Sequence, residues 1–200
     1  MPYRSNRSYR SNKTYMTDKK LGFGGYRNLR SYQQAEIIYD YTCEFCEKYM
    51  TYKTNKSYRT YDQMVQAARS GKQNIVEGSQ ASRTSKKTEL KLLGVARASL
   101  EELLVDYEDF LRRRNLLLWS KDSPKAREIR ALAYRSDRSY RTYMRFLAEP
   151  ETAANVAICL IKQANYLLDR QIASLEKEFV EKGGYTESLF RKRLEYRREK

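Results

Sequence analysis

The sequence predicts an all-α protein: an up-and-down four-helix bundle with an extra C-terminal helix and low-complexity Tyr/Arg/Ser inserts. Three observations lead there. Only 8 Gly and 3 Pro interrupt 200 residues, which favours long helices over many short strands. Four long stretches carry apolar residues at intervals of three and four, the spacing of one helix face. An αα-hairpin is also legible, in Asn74-Ile75-Val76-Glu77-Gly78, a polar turn from Ser79 to Thr84, and a helical run opening at Ser85. Hydrophobic residues make up 40% of the chain and suffice for a core, while a mean hydropathy of -0.86 leaves the surface very polar.

The first helix covers about residues 28–50, with Leu29, Tyr32, Ala35, Ile38, Tyr39, Thr42, Cys46 and Tyr49 on its inner stripe. Gly22, Gly24 and Gly25 precede it as a lead-in. No strand–helix unit surrounds them, so they do not read as a phosphate loop. The second helix runs from about Tyr61 to Glu77, and its narrow stripe of Met64, Ala67, Ala68, Gly71, Ile75 and Gly78 permits a close helix approach. Gly78 is expected as the left-handed residue just past its end. Glu77 would then sit at the wrong pole of the helix dipole and need a partner among Arg69, Lys72 and Arg97.

Ser85 is the expected N-cap of the third helix, about Ser85 to Arg114, with Glu89 in its first turn. Leu90, Leu93, Ala96, Leu100, Leu103, Leu104, Tyr107, Phe110 and Leu111 form its core stripe. Arg112-Arg113-Arg114 complement the dipole at its C-terminus, and Trp119 seals the loop beyond. Asp122 to Tyr134 reads as a short helix started by Asp122-Ser123-Pro124. The fourth long helix starts near Pro150 and runs to about Lys182, with Val156, Leu160, Ala164, Leu167, Leu168, Ile172, Leu175 and Phe179 inward, and Gly183-Gly184 stopping it. A last helix, about Thr186 to Lys200, carries six Lys/Arg against three Glu. The expected organisation is a disordered basic repeat tail over 1–25, the bundle over 26–182 with inserts near 52–60 and 134–143, and a basic C-terminal helix over 183–200.

The inserts share one degenerate repeat. Ser5-Asn6-Arg7-Ser8-Tyr9-Arg10-Ser11 recurs as Thr54-Asn55-Lys56-Ser57-Tyr58-Arg59-Thr60 and as Ser136-Asp137-Arg138-Ser139-Tyr140-Arg141-Thr142. The irregular spacing excludes a solenoid. With little but Tyr to anchor them, the three copies are expected at tolerant positions and dispensable for folding. They also hold most of the charge. Residues 1–20 carry +5, residues 51–61 +3 and residues 134–145 +3, of a net +15. A surplus of this size attracts polyanions, nucleic acid first, or else makes a well-solvated basic surface. Tyr beside Arg suits stacking on a base with the guanidinium on phosphate.

Nothing in the chain reads as catalytic, cofactor-binding or metal-binding. There is no His, which excludes a Ser-His or Cys-His pair within the chain. Cys43-x-x-Cys46 has the spacing of a zinc or redox half-site, yet it lies mid-helix with no second pair, so the two read as core residues. Asp106, Glu108 and Asp109 cluster near the end of the third helix without a matching Glu-x-x-His set. No run approaches 18 apolar residues, and the first residues have no apolar signal segment. The expectation is a reduced, cytoplasmic protein with no membrane span.

Asn74-Ile75-x-Glu77-Gly78, then Ser85, then Ala96-x-x-Ser99-x-x-Glu102-Leu103 resembles the signature of bacterial proteins encoded in ribosomal RNA intervening sequences. That family includes the accessory variability determinant of diversity-generating retroelements. The stretch from Gln163-Ala164-Asn165-Tyr166-Leu167-Leu168-Asp169 through Gly183-Gly184-Tyr185-Thr186 further resembles its subgroup of four helix bundle suffix domain proteins. The resemblance covers about residues 28–182 less the two inserts. It implies a four-helix bundle assembling into a homopentamer. For the retroelement branch it implies a positively charged barrel that binds nucleic acid and a reverse transcriptase. It carries over no catalytic residue, and Asn74, Glu77, Gly78, Ser85, Ala96, Ser99 and Glu102 stand as a structural motif.

Two functions are therefore expected to compete. One is a non-enzymatic, oligomeric nucleic-acid-binding accessory factor for a reverse transcriptase or another RNA- or DNA-processing enzyme. Its contacts would be Arg112, Arg113, Arg114, Arg191, Lys192, Arg193, Arg197 and Arg198. The other is a protein–protein adaptor whose last helix docks an acidic partner.

Overall fold

The computed structural model describes residues 25–50, 58–135 and 137–200, and within them every regular element is a helix. A 3-10 turn at Gly25–Asn28 leads into α1, Arg30–Tyr49. Then come α2 (Tyr58–Ala81), α3 (Lys86–Arg113), α4 (Pro124–Leu132), α5 (Tyr140–Tyr143), a 3-10 turn at Met144–Ala148, α6 (Pro150–Lys182) and α7 (Tyr185–Arg198). None of these helices is long and apolar enough to cross a membrane. The expected N-terminal tail except its last residue, Gly25, the first repeat copy and most of the second lie outside the described residues. Tyr58, Arg59 and Thr60, the end of the second copy, open α2.

Local chemistry sets the helix ends. Ser85 Oγ accepts from the Thr88 N–H at 3.1 Å and caps α3. Ser123 Oγ accepts from Ala126 N–H at 3.2 Å, with Pro124 opening α4. Pro150 opens α6, and Gly183 closes it at φ 74°, a conformation that residues with a Cβ rarely adopt.

The four long helices pack pairwise, α1 on α2 and α6, and α3 on α2 and α6. In every pair residue numbers rise on one helix as they fall on the other. Between α1 and α2, Cys46 Sγ meets Met64 Sδ at 4.0 Å, and Lys72 Nζ lies 3.9 Å from the centre of the Tyr39 ring. Across α2 and α3, Gly71 faces Leu100 and Gly78 faces Glu89 and Leu92. Arg97 reaches Asp169 at 2.6 Å and Asn165 donates to Glu101 at 2.8 Å between α3 and α6. Between α1 and α6, Tyr41 donates to Ala153 O at 3.1 Å and Ser31 to Gln171 Oε1 at 2.6 Å.

The core fills the space between these four helices. Phe45 is fully buried, edge-on to Tyr107 and to Phe110 with ring centroids 4.8 Å away in each case. The buried Tyr107 hydroxyl donates to Thr42 Oγ1 at 3.1 Å, so both polar groups are satisfied inside. Cys46 is a core residue as well. Burial pushes its thiol and that of Cys43 up, away from the thiolate a redox or zinc site needs.

The structure corrects several expectations. α2 does not stop at Glu77 but continues to Ala81, so Gly78 is not a left-handed terminator. Its lack of a side chain serves packing instead. A Cβ there would lie 3.4 Å from Glu89 O and Leu92 Cβ, and one at Gly71 would lie 2.8 Å from Leu100 Cδ2. Glu77 is solvent-exposed and needs no basic neighbour; Arg97 serves Asp169 and Glu101, and Lys72 sits over Tyr39. On α1 the buried arc is wider than the expected stripe and includes Ile37, Tyr41 and Phe45, because α1 packs on α2 and α6 at once. On α6 the buried line is Leu160, Ala164 and Leu168, whereas Leu167 and Ile172 are half-buried. Ser31, near the start of α1, lies opposite Gln171, so α6 runs past the end of α1 from there on.

The third repeat copy is not a loose insert. Arg138 Nη1 donates to Gln34 Oε1 at 2.7 Å, Ser139 N–H donates to Thr142 Oγ1 at 3.1 Å, and Tyr143, one residue beyond the copy, is fully buried. Tyrosine supplies the apolar area that the rest of the copy lacks. The Tyr143 hydroxyl, however, is buried with no hydrogen-bond partner. Tyr143→Phe should therefore stabilise the chain by about 1 kcal/mol, by removing an unsatisfied polar group while keeping the ring. A denaturant melt in which Tyr143→Phe is the less stable protein would show that the hydroxyl is satisfied after all.

Candidate nucleic-acid interface

The eight basic residues expected to contact nucleic acid fall into two groups, and the fold separates them. Arg112, Arg113 and Arg114 end α3, next to the start of α6. Arg191, Lys192, Arg193, Arg197 and Arg198 lie on α7, beyond the end of α6 and on the side of Lys86, which reaches Glu178 at 3.7 Å. The 28 residues of α3 lie between the two, a span of about 40 Å. One copy of the chain does not join them into a single patch.

The α3 group is also partly occupied. Arg112 holds Asp109 at 2.7 Å, and Arg113 approaches the same carboxylate at 4.0 Å. The hydrogen bond from Arg112 keeps the Asp109 carboxyl below its ordinary range. Arg114 lies 3.9 Å over the Phe110 ring, donates to Tyr49 O at 3.4 Å and is half-buried. Arg112 and Arg113 thus meet Asp109 at the exposed end of α3, and Arg114 covers the aromatic core.

α7 is different. It has no buried residue. The Gly183-Gly184 turn aims it, with Gly184 N–H donating to Glu187 Oε2 at 2.9 Å. Arg191 donates to Lys182 O at 2.7 Å and closes the end of α6. Lys192, Arg193, Arg197 and Arg198 stay exposed, and the rings of Phe190, 62% exposed, and Tyr196, 59% exposed, stand among them.

The motif residues singled out in the sequence, Asn74, Glu77, Gly78, Ser85, Ala96, Ser99 and Glu102, lie along the α2–α3 hairpin. Ser85 caps α3, Gly78 allows the close approach, and Ala96 is fully buried. Asn74 Nδ2 donates to Ser70 O at 2.9 Å, and the Ser70 and Ser99 hydroxyls are 3.0 Å apart. Glu102 is exposed beside them in a groove it shares with Asp62 and Asp106, against Arg59. Burial, with Asp109 and Glu102 nearby, pushes the Asp106 carboxyl up. An excess of carboxylates makes this face a poor surface for polyphosphate.

A third concentration of positive charge is assembled only by the fold. Arg30, Lys121, Arg130, Arg138 and Lys162 surround a cavity between α1, α4 and α6. They come from five separate stretches of chain, so no run in the sequence announces them. Trp119, singled out as a loop seal, lines the same cavity. Among the described residues no group of His, Cys, Asp and Glu is placed to hold a metal ion. No protein family, curated protein or solved structure matches the chain.

Proposed function

We propose that this chain is a non-enzymatic, oligomeric protein of the up-and-down four-helix-bundle type that binds nucleic acid through α7. It would act in the cytoplasm as an accessory to a reverse transcriptase or another RNA- or DNA-processing enzyme. The antiparallel pairing of α1, α2, α6 and α3 supports the bundle reading. Homopentameric assembly follows from the family resemblance. The observation that carries the function is α7 itself, a helix with no buried residue, on which the exposed Arg191, Lys192, Arg193, Arg197 and Arg198 are interspersed with Phe190 and Tyr196. Cations spaced along a helix neutralise successive phosphates, and exposed rings offer stacking faces to unpaired bases. No base-reading module accompanies them, so affinity is expected to vary little with sequence.

A second reading has its own observation. Leu189, Phe190 and Leu194 are exposed on the same helix, which suits an adaptor docking an acidic protein partner. Gel-shift titration with single-stranded RNA and DNA separates the two. Changing Lys192, Arg193, Arg197 and Arg198 together to Gln should weaken nucleic-acid binding by at least about 100-fold at low salt. Changing Leu189 and Leu194 to Ser should leave it within about threefold. The reverse pattern, or no shift by the unaltered chain, would assign α7 to a protein partner.

A further inference from the structure

The cavity between α1, α4 and α6 has a volume of about 400 Å³. That lies within the roughly 300–1,000 Å³ of small-molecule sites. Its walls are mostly apolar, with Trp119, Ala126, Ile158 and Leu167 among them, and the rings of Tyr134 and Tyr166 at its edge are largely exposed.

Its charge has one sign. Among the described residues five cations line it, Arg30, Lys121, Arg130, Arg138 and Lys162, and no Asp or Glu does. Arg138 is hydrogen-bonded to the neutral Gln34, and Lys162 stands 3.9 Å from Glu108. Arg130 and Lys162 come close enough to Cys159 to oppose the upward push that burial gives its thiol.

The side-chain amides of the wall are already engaged. Gln34 Oε1 accepts from Arg138, Gln163 Oε1 accepts from Gln34 at 3.3 Å, and Asn155 Oδ1 accepts from the Trp119 backbone N–H at 2.8 Å. What remains is a surplus of cationic donors over acceptors. Arg30, Lys121 and Lys162 are exposed, while Arg130 and Arg138 are half-buried; converging on one apolar cavity, they raise the local positive potential, which favours an anion placed among them.

We propose that this cavity binds a small organic anion with a flat, apolar body and a phosphate head, the chemistry of a nucleoside monophosphate. Several cations suit a phosphate better than a singly charged carboxylate, and the ring-lined wall suits a flat body. The site does not rest on the nucleic-acid reading of α7. Leu167 and Lys182 are 15 residues apart on α6, so α7 begins about 20 Å from the cavity.

The chain has 1 Trp, so the fluorescence of Trp119 reports on this cavity alone. Titrating the full chain with adenosine monophosphate should give a saturable change, matched by equilibrium dialysis of the labelled nucleotide. Adenosine, which lacks the phosphate, and inorganic phosphate, which lacks the body, should each bind at least about tenfold more weakly. Arg130→Glu with Lys162→Glu should weaken the nucleotide by more than about tenfold while the thermal melt by circular dichroism stays in place. If that pair unfolds the chain, Arg130→Gln serves in its stead. Reversing Arg112 and Arg113, at the end of α3, should change nothing. A 5′-phosphorylated oligonucleotide that displaces the nucleotide would identify the natural ligand as a strand end, and failure to displace it a free nucleotide. The proposal is overturned if dialysis detects no saturable binding at millimolar nucleotide, if adenosine binds equally well, or if the folded cavity variants bind like the original chain.

Discussion

Phe45→Ala should destabilise the chain by about 3–5 kcal/mol, the range for removing a large aromatic from a packed core. Phe45 is fully buried and packs on Tyr49, Tyr107 and Phe110, with ring centroids at 5.2, 4.8 and 4.8 Å. Each edge-to-face pair contributes beyond the area it buries. The substitution also opens a void where α1 meets α3, between side chains held from opposite directions, so little collapse can fill it. Whole-domain stability is of the order of 5–15 kcal/mol, so the variant should melt at markedly lower denaturant. A loss below about 1 kcal/mol would mean that α1 and α3 do not share this aromatic cluster.

The second large effect is a change of sign. Leu100 is fully buried against Gly71, and Leu100→Ala should cost about 2–5 kcal/mol. Gly71→Ala alone should also destabilise. Its methyl would lie 2.8 Å from Leu100 Cδ2, and overpacking of about 1–3 kcal/mol outweighs the roughly 1 kcal/mol of helix propensity gained. In the Leu100→Ala background the clash is gone, so Gly71→Ala should instead stabilise by about 1 kcal/mol. A double-mutant cycle in urea measures the coupling. The same sign in both backgrounds would separate α2 from α3 at this level.

The architecture was legible because long periodic helices repeat their signal many times. α6 begins at Pro150 and ends at Lys182, where a proline and a pair of glycines mark both limits in the sequence. α3 begins after Ser85 for the same kind of reason, a hydroxyl ahead of a periodic run. Gly78 misled because a glycine near the end of a periodic run has two uses, a left-handed stop or a close contact. Only the neighbouring helix, at Glu89 and Leu92, decides between them. The third repeat misled because its Tyr and Arg read as polar filler until Arg138 meets Gln34 and Tyr143 meets the core.

The candidate site was legible in residue type and not in place. The cations of α3 and α7 stand out as runs, but antiparallel packing sends them to opposite ends. The cavity cations were invisible because folding alone brings Arg30, Arg130 and Lys162 together. Spacing along the chain carries no trace of such a meeting.

The salt dependence of binding tests the central claim most directly. Affinity for a single-stranded RNA is measured from about 50 to 200 mM salt, for the full chain and for the chain with Lys192, Arg193, Arg197 and Arg198 changed to Gln. If α7 meets phosphate, the logarithm of affinity falls steeply with the logarithm of salt for the unaltered chain. The variant's slope is then shallower by up to about 2.8, or roughly 0.7 for each of the four charges removed. Equal slopes for the two proteins, with measurable binding in both, would contradict the assignment of the nucleic-acid contact to α7.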